Sequence, residues 1–406
     1  MKTEKYSRQE IIKGWNQEKI SNTSVCLVGN GVLSDLILVD FLALGFKDIT
    51  RIGKSNFFEF EKMGSDAYIE QIDVAILNNE MARIYIPKAD YLIDAGNNVE
   101  QKILLRKYSK DNEIPFISAS ATENDFSFSL GEKTQEENYH LKKEGRLNSI
   151  VCSAMITDEL RKKLFSLEYD IPVDEFSYTE IDETAHILNG KKLALIGAGA
   201  AGTFAGLGLA FENAEVDIID FDTIEESNLS RQVFFYDLIG DYKAKVLSER
   251  LQRYGGKFKG LVEKVDSGFS LSNYDGVISC VDNFPTRLVL NNLAKKYNIP
   301  LVNCGVSIYE GEVHGYIPGK TACLNCQMLG ALKKGEENEN EKKKGGCIIQ
   351  PSLITPNQIA GGLVVEELKK VFNGNSKIIR FSSGEDIFSE NPKNKCLDEC
   401  FKGDFK

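Results

Sequence analysis

Short apolar runs and helical patterns alternate along this chain. Apolar runs that end in glycine-rich turns begin at residues 24 and 192, and each continues into a segment with apolar residues at helical spacing. Further strands are predicted at 47–53, 91–96, 114–120 and 125–131, with helices at 6–15, 59–85 and 99–112. Strands that alternate with helices are typical of mostly parallel sheets joined by right-handed crossovers.

This order of elements occurs twice. The segment 24–45 matches the segment that begins at Lys192, with an offset of 168 residues. That offset pairs two glycines of the first turn with two of the second, Gly29 with Gly197 and Gly31 with Gly199. Residues 89–133 match residues 273–320 in the same order, with an offset of 185 residues at their shared Ile-Pro pair.

A third match completes the repeat. Residues 153–165 resemble part of the segment 351–372. Three matches in one order predict an α/β fold of two tandem Rossmann-like units, which together form an intramolecular pseudo-dimer. We expect the unit boundaries at 1–180 and 181–406.

The two copies differ at the positions where a ligand would bind. In our alignment Asp220 is paired with Arg51, Gly202 with Ser34, and Asp282 with Asn97. The first copy has no counterpart of the loop SNLSRQ (227–232). The second copy is therefore predicted to be the working half and the first copy a scaffold.

The glycine turn of the second copy suits a nucleotide. GAGAAG (197–202) precedes a helix, so its backbone N–H groups and the helix dipole favour phosphate, and Gly197 and Gly199 allow close approach. Asp220, at the end of the next strand, suits a pair of ribose hydroxyls, and Asp222 is a second acidic candidate. These features alone leave a dinucleotide as an alternative ligand.

The loop at 227–232 favours a triphosphate over a dinucleotide. It places two amides and a guanidinium beyond the ribose carboxylate, on Asn228, Gln232 and Arg231. Lys243 follows shortly after and would neutralise phosphate charge, with an ordinary exposed helix lysine as the alternative. Asp282 ends a strand near the glycine turn, which suits Mg²⁺ on the phosphates, and a helix N-cap is the alternative role.

The cysteines suggest a metal site and a nucleophile. Two close pairs far apart in sequence are typical of a structural zinc site, with two unrelated thiol pairs as the alternative: Cys323, Cys326, Cys396 and Cys400. Cys347 stands apart, and lysines 342–344 just before it favour its thiolate. It is a candidate nucleophile, or else a small apolar residue at a loop junction. The others lie in or beside apolar runs and are predicted to be structural: Cys26, Cys152, Cys280 and Cys304.

Composition narrows the class of protein. A chain of 406 residues with 42% hydrophobic residues suits two or three soluble domains. The net charge of −11 disfavours broad nucleic-acid binding and is compatible with a basic protein partner. The polar N-terminus has no apolar signal core and no apolar run reaches ~18 residues, so we expect a cytoplasmic protein without membrane spans. Nine cysteines favour reduced thiols over a disulfide framework.

These motifs resemble the ubiquitin-activating enzyme superfamily, which includes the ThiF/MoeB-type adenylyltransferases. The matching pieces are GAGAAG, DFD, SNLSRQ, GDYK, VDNFPTR, CLNC and CLDEC, and they span about residues 190–400. Ala200 stands where the family usually has a second glycine. The N-terminal half resembles the inactive adenylation half of heterodimeric or fused members.

The resemblance implies that ATP·Mg²⁺ binds the second copy and that a protein or peptide carboxylate attacks the α-phosphate. The residues implied to hold the nucleotide are Gly197, Gly199, Gly202, Asp220, Asp222, Asn228, Arg231, Gln232, Lys243 and Asp282. In this family the arginine of a YSRQ motif reaches the ATP bound by the other half, and Arg8 lies in that motif here. One active site per chain, in a monomer, is the expected arrangement.

The resemblance also implies a partner and a second step. The partner would be a small ubiquitin-like or sulfur-carrier protein, or a precursor peptide, with a free C-terminus, and a conjugating enzyme is a further candidate. Cys347 fits the form of the family in which a catalytic cysteine lies on a short crossover loop, here at about 327–350. That cysteine would attack the acyl-adenylate to form a thioester.

Three hypotheses remain open from the sequence. The first is an activating enzyme for a modifier or sulfur carrier, using Cys347. The second is a peptide-modifying adenylyltransferase of a natural-product pathway, without a thioester. The third is a non-enzymatic scaffold with a bound nucleotide, against which the intact 227–232 loop and Asp282 count.

Overall fold

A computed structural model describes the chain in nine ranges: 4–54, 58–74, 76–131, 143–165, 172–183, 185–335, 350–382, 386–396 and residue 400. Within these ranges the chain forms two β-sheets with packed helices. Among the helices described there, none is both long enough and apolar enough to cross a lipid bilayer.

The first sheet has seven strands in the order β3-β2-β1-β4-β5-β6-β7. The strands are β1 (Ser24–Val28), β2 (Asp48–Ile52), β3 (Tyr68–Ile72), β4 (Tyr91–Ala95), β5 (Phe116–Ala121), β6 (Phe126–Leu130) and β7 (Glu175–Tyr178). The first five pair in parallel and the last two are antiparallel additions. We call the described residues from 4 to 183 the first unit.

The second sheet has eight strands in the order β10-β9-β8-β11-β12-β13-β14-β15. They are β8 (Lys192–Ile196), β9 (Glu215–Ile219), β10 (Lys257–Leu261), β11 (Gly276–Ser279), β12 (Leu301–Val306), β13 (Glu310–Tyr316), β14 (Ile378–Ser382) and β15 (Ile387–Glu390). The same parallel core recurs in the same order, with one extra antiparallel strand. We call the described residues from 185 to 400 the second unit.

Twelve α-helices are named here. They are α1 (Ser7–Glu10), α2 (Gln17–Ser21), α3 (Val32–Leu44), α4 (Phe60–Met63), α5 (Asn79–Tyr85), α6 (Val99–Asp111), α7 (Arg146–Phe165), α8 (Ala200–Phe211), α9 (Lys243–Leu251), α10 (Phe284–Tyr297), α11 (Leu324–Gln327) and α12 (Ile354–Phe372). Residues 331–335 are also helical. Short 3₁₀ helices lie at Glu4–Tyr6, Glu226–Asn228, Val233–Phe235 and Gln252–Tyr254.

The repeated strand order confirms the predicted fold class, two tandem Rossmann-like α/β units. Equivalent turns also have equivalent backbone bonds, because Gly29 N donates to Ile52 O at 3.0 Å and Gly197 N donates to Ile219 O at 2.9 Å. This register corrects one predicted pairing. The residue after Ile52 is Gly53, so Gly53 is the structural equivalent of Asp220. Arg51 precedes that position by two residues.

One predicted element is wrong. The stretch 59–85 was expected to be helical, but it contains the helices α4 and α5 on either side of the strand β3. Three of the five residues of β3 are exposed because it is the edge strand of the first sheet. An edge strand of this kind lacks the apolar run by which buried parallel strands are recognised.

Four helices pack together where the two units meet: α3 and α7 from the first unit, and α8 and α12 from the second. Gly361 and Gly362 in α12 allow close packing, because a Cβ at Gly361 would lie 2.6 Å from Phe204 Cβ and one at Gly362 would lie 2.6 Å from Val151 Cγ2. Gln358 Nε2 donates across the interface to Asp40 Oδ2 at 3.3 Å. The apolar core is continuous through this contact.

Candidate functional site

The glycine turn of the second unit leaves space for a ligand at the N-terminus of α8. Gly197 has φ +98°, and a Cβ there would lie 2.7 Å from Cys280 O, so only glycine fits without strain. Gly199 is the N-cap residue of α8, and a Cβ there would meet no described atom within 4 Å. Gly202 lies behind the turn, where a Cβ would be 2.0 Å from Gly197 O. Gly199 therefore faces the candidate ligand space, whereas Gly202 allows helix and turn to pack.

Asp220 is held by the backbone at the tip of β9. Its Oδ2 accepts from Ala198 N at 2.7 Å and its Oδ1 accepts from Asp222 N at 2.8 Å. Burial raises the pKa of the Asp220 carboxyl, while the two N–H groups oppose that shift. Each carboxylate oxygen can accept a further hydrogen bond, so the group can still meet a ribose hydroxyl.

The loop 227–232 begins within the 3₁₀ helix Glu226–Asn228 and is held by hydrogen bonds of its own. Asn228 Oδ1 accepts from Glu225 N at 3.0 Å, and the Arg231 guanidinium donates to Ser227 O at 2.6 Å. Gln232 is buried, and its Oε1 meets no donor within the described chain. Rotation of that amide would present its NH₂ group instead, so Gln232 can either accept a hydrogen bond from a ligand or donate one to it.

Arg8 of the first unit lies beside Arg231 of the second. Arg8 donates to Gln350 O at 3.0 Å, and Ser352 N donates to Arg8 O at 3.1 Å, which fixes α1 against the chain that leads into α12. Burial and then repulsion by Arg8 lower the pKa of Arg231 to about 10, although Glu225 acts in the opposite direction. Because the charge of Arg8 disfavours the charged form of Arg231, an anion bound near both guanidiniums would relieve that repulsion.

Lys243 and Asp222 form an ion pair at the start of α9. Lys243 Nζ lies 3.2 Å from Asp222 Oδ2, and Lys243 N donates to Asp222 O at 3.0 Å. The lysine side chain is largely buried while that of Asp222 is exposed. Lys243 is therefore not an ordinary exposed helix lysine, and Asp222 orients it.

Asp282 lies at the carboxyl edge of the second sheet, three residues after β11. It is exposed, and it is not the helix cap, because Asn283 Oδ1 accepts from Thr286 N at 2.9 Å at the start of α10. The alternative N-cap role for Asp282 is therefore wrong. Its carboxylate is available to a cation bound at this edge.

The equivalent turn of the first unit is closed by its own chain. Glu144 lies at the N-terminus of α3, where its carboxylate accepts from Val32 N at 3.0 Å and from Leu33 N at 2.9 Å. A Cβ on Gly31 would lie 2.4 Å from Glu144 Oε2, so the carboxylate sits directly against the turn. Burial raises the pKa of Glu144. No local sequence feature indicates this residue, which occupies a helix N-terminus, where phosphate commonly binds.

The remaining ligand positions of the first unit also differ. Gly53 stands at the Asp220 position, and Asn97 at the Asp282 position donates to Ala121 O at 2.8 Å. Arg51 is fully buried and ion-paired with Asp35. The first unit thus lacks carboxylates at the positions of Asp220 and Asp282, as the sequence predicted, although Gly53 rather than Arg51 is the equivalent of Asp220.

Four cysteines gather as predicted: Cys323, Cys326, Cys396 and Cys400. Their Sγ atoms all lie within 4.8 Å of one another. Cys323 Sγ is 3.5 Å from Cys400 Sγ, close to the separation of about 3.8 Å that a tetrahedral site with Zn–S bonds of about 2.3 Å requires. The alternative of two unrelated thiol pairs is wrong, and the donor set fits zinc.

The other cysteines divide into two groups. Cys347 and lysines 342–344 lie outside the described residues. Cys26, Cys152 and Cys304 are buried, and Cys280 is partly buried with its Sγ 3.7 Å from that of Cys304. Their burial agrees with a structural role.

Comparison with known proteins places the site in a family. The sequence profile of the ThiF family matches residues 176–395. A SUMO-activating enzyme subunit 2 from Dictyostelium discoideum is 33% identical over 153 residues, which are 35% of this chain and 23% of that protein. A ubiquitin-like modifier-activating enzyme 5 from Oryza sativa subsp. japonica is 26% identical over 226 residues, which are 48% of this chain and 52% of that protein.

Among solved structures, E. coli MccB with AMPCPP and MccA is 23% identical, with a TM-score of 0.43, over 52% of this chain and 66% of that one. The chain spans about half or less of the length of the two curated relatives named above. The family profile, in contrast, covers more than half of the chain, including the glycine turn, the 227–232 loop and two of the four clustered cysteines, Cys323 and Cys326. This protein belongs to the ThiF family.

Proposed function

We propose that this protein is an adenylyltransferase that uses ATP to activate the C-terminal carboxylate of a ubiquitin-like modifier or sulfur-carrier protein. The observation that carries the proposal is the glycine turn with Asp220 held against it, since Asp220 Oδ2 accepts from Ala198 N at 2.7 Å beside the N-terminus of α8. The names of the relatives, SUMO-activating and ubiquitin-like modifier-activating enzymes, support a modifier as the substrate class. The chain acts as a monomeric pseudo-dimer, with units at 1–180 and 181–406 and one ATP site.

In this proposal the second unit binds the nucleotide along the carboxyl edge of its sheet. The turn at Gly197 and Gly199 approaches the phosphates, since glycine at the second position leaves open space beside the helix N-terminus. Asp220 binds the ribose hydroxyls. The amides and guanidinium of the 227–232 loop, with Lys243 and Arg8, compensate the negative charge of the triphosphate.

Asp282 is proposed to hold Mg²⁺ together with the phosphates. Mg²⁺ commonly uses one or two carboxylates, with water and phosphate oxygens as its other ligands, so one exposed carboxylate at this edge fits its requirements. The metal would lower the charge on the leaving pyrophosphate. The residues of the chain align the reactants and neutralise charge, and none of the described residues is proposed as a general base.

The reaction is a displacement at phosphorus. An oxygen of the substrate carboxylate attacks the α-phosphorus of ATP, a P–O bond forms to give the acyl-adenylate, and the bond to pyrophosphate breaks.

The four clustered cysteines are proposed to hold a structural zinc ion that fixes the C-terminal segment. The ion would be structural because the four thiolates fill all four positions of a tetrahedral site.

A thioester step at Cys347 is proposed to follow. The thiolate attacks the acyl carbon, an S–C bond forms, and AMP leaves. Support comes from the sequence position of Cys347, three residues before Gln350, whose carbonyl accepts from Arg8. A thiol-sensitive adduct that forms with wild type and is absent in Cys347→Ala would support this step. Full product formation by Cys347→Ala would instead assign the protein to peptide adenylation without a thioester.

Exchange of labelled pyrophosphate into ATP tests the adenylation step. Candidate modifiers and precursor peptides are supplied both as free acids and as C-terminal amides. We expect exchange only with free acids, loss of exchange in Asp282→Ala, and full exchange in the control Asp266→Ala, an exposed loop residue of the same unit. Exchange with amides, or undiminished exchange in Asp282→Ala, would contradict the proposed chemistry or the metal assignment respectively.

A further inference from the structure

A segment of the first unit supports the second unit close to the 227–232 loop. Phe58 and Glu59 follow β2, as the 227–232 loop follows the equivalent strand β9. The Phe58 ring packs against two rings of the second unit, with centroids 5.9 Å from Phe234 and 5.4 Å from Tyr254. In the first unit, the segment that follows β2 therefore contacts the second unit just beyond the end of the 227–232 loop.

Glu59 makes the polar part of this contact. Its Oε2 accepts a hydrogen bond from the Tyr236 hydroxyl and lies 3.1 Å from an Arg253 guanidinium nitrogen. Its Oε1 lies 3.2 Å from Lys62 Nζ within its own unit. The Tyr236 hydrogen bond, with Lys62 and Arg253, lowers the pKa of Glu59 to about 2, so it remains a carboxylate at neutral pH.

Tyr236 connects this contact to the nucleotide side of the loop. It follows the 3₁₀ helix Val233–Phe235, in which Phe235 N donates to Gln232 O at 3.1 Å. Its ring lies under the Arg250 guanidinium, 4.0 Å from the ring centroid, and Arg250 also donates to Phe234 O. The side chain of Tyr236 is thus fixed between Arg250 and Glu59, one short helix away from Gln232.

We propose that Glu59 is a positioning residue for ATP binding: through Tyr236 it fixes the loop that carries Asn228, Arg231 and Gln232. The inference rests on the proposed function, because it assumes that this loop binds ATP. Its physical basis is that a loop held in its binding geometry loses less conformational entropy when the ligand binds. The first unit then supports the ATP site by two routes, directly through Arg8 and indirectly through Glu59.

Calorimetric titration with a non-hydrolysable ATP analogue and Mg²⁺ tests this role without a known acyl substrate. Glu59→Ala and Tyr236→Phe should each raise the Kd about three- to thirtyfold, the range for residues that modulate a site without touching its ligand, with an unchanged stoichiometry. The double variant should bind no more weakly than the weaker single variant, because both changes break one contact. Glu59→Gln should bind more tightly than Glu59→Ala, since its amide oxygen accepts from Tyr236.

The control is Glu70→Ala, which removes an exposed glutamate from β3 of the same unit and should leave the Kd unchanged. A role in stability alone would lower the stoichiometry, as less protein is folded, while the Kd of the folded fraction stays constant. A Kd within twofold of wild type for both Glu59→Ala and Tyr236→Phe would overturn the inference. Absence of analogue binding by wild type would instead refute the proposed function on which it rests.

Discussion

Replacing Glu144 by alanine tests how much this carboxylate stabilises the first unit by capping α3. In the first unit this carboxylate occupies the N-terminus of α3, a helix whose thirteen residues are all buried. It accepts from the first two N–H groups of that helix, at Val32 and Leu33. In Glu144→Ala both N–H groups lose their acceptor, because the alanine side chain has no oxygen atom.

The expected loss of stability follows from these two bonds. A hydrogen bond to a charged group contributes ~1.5–3 kcal/mol net, and loss of a helix N-cap typically costs ~0.5–2 kcal/mol. Burial of the carboxylate opposes these gains, as its raised pKa indicates. We therefore expect Glu144→Ala to lower the free energy of unfolding by about 2–4 kcal/mol. Glu144→Gln keeps one carbonyl acceptor and should lose roughly half as much.

Urea denaturation, followed by circular dichroism, measures these differences. Glu70→Ala is again the control, because it removes an exposed glutamate of the same unit and should change the free energy of unfolding by less than about 0.5 kcal/mol. A loss below about 0.5 kcal/mol in Glu144→Ala would refute the reasoning. Equal losses in the alanine and glutamine variants would show that the oxygen acceptor is not what matters.

Three further predictions address the ATP site, the zinc site and the response to pH. Arg8→Ala should weaken binding of an ATP analogue at least about tenfold, whereas the exposed neighbour Lys13→Ala should not, and equal affinities would contradict the shared site. Wild type should contain about one zinc ion per chain by elemental analysis and Cys323→Ser close to none, and a zinc-free wild type would contradict the cluster assignment. Burial raises the pKa of Glu367 from 4.5 to about 7. The stability that this carboxyl group contributes is therefore fully present below about pH 4.5 and is lost as the pH rises through about 7. Glu367→Gln should therefore flatten the fall in Tm over that interval, and a slope as steep as in wild type would contradict this explanation.

The sequence was sufficient for the buried parallel strands of both sheets, although not for the exposed parallel edge strand β3. Buried parallel strands read as apolar runs, and the glycine turn after β1 and β8 marks where each unit begins its first crossover. The offset of 185 residues also paired Asn97 with Asp282 correctly as equivalent positions. The reason is that β4 has the same register against β1 as β11 has against β8. Repetition within one chain thus supplied information that a single unit could not.

Registers near loops were harder to predict. Our alignment pairs Arg51 with Asp220, yet the equivalent backbone bonds from Gly29 N to Ile52 O and from Gly197 N to Ile219 O show a shift of two residues. The exposed strand β3 was missed for the related reason that edge strands need little apolar character. Local sequence patterns predict which elements form more reliably than they predict where each element ends.

Long-range contacts could not be predicted from local patterns. Glu144 is 112 residues from Val32 in sequence, and Glu59 is 177 residues from Tyr236. Neither glutamate has a local sequence feature that indicates such a partner. Arg8 was identified only through the YSRQ resemblance, and its proximity to Arg231 comes from the packing of the two units.

Transfer of isotopic oxygen is the most direct measurement of the central claim, that ATP activates a carboxylate at the α-phosphate. A modifier or peptide that supports pyrophosphate exchange is prepared with ¹⁸O in its C-terminal carboxylate and incubated with the enzyme, Mg²⁺ and ATP. Attack by that carboxylate leaves one of its oxygens on phosphorus, so mass spectrometry should find AMP with one ¹⁸O atom once the acyl group has been transferred. Unlabelled AMP, or ADP as the nucleotide product, would contradict the proposed reaction.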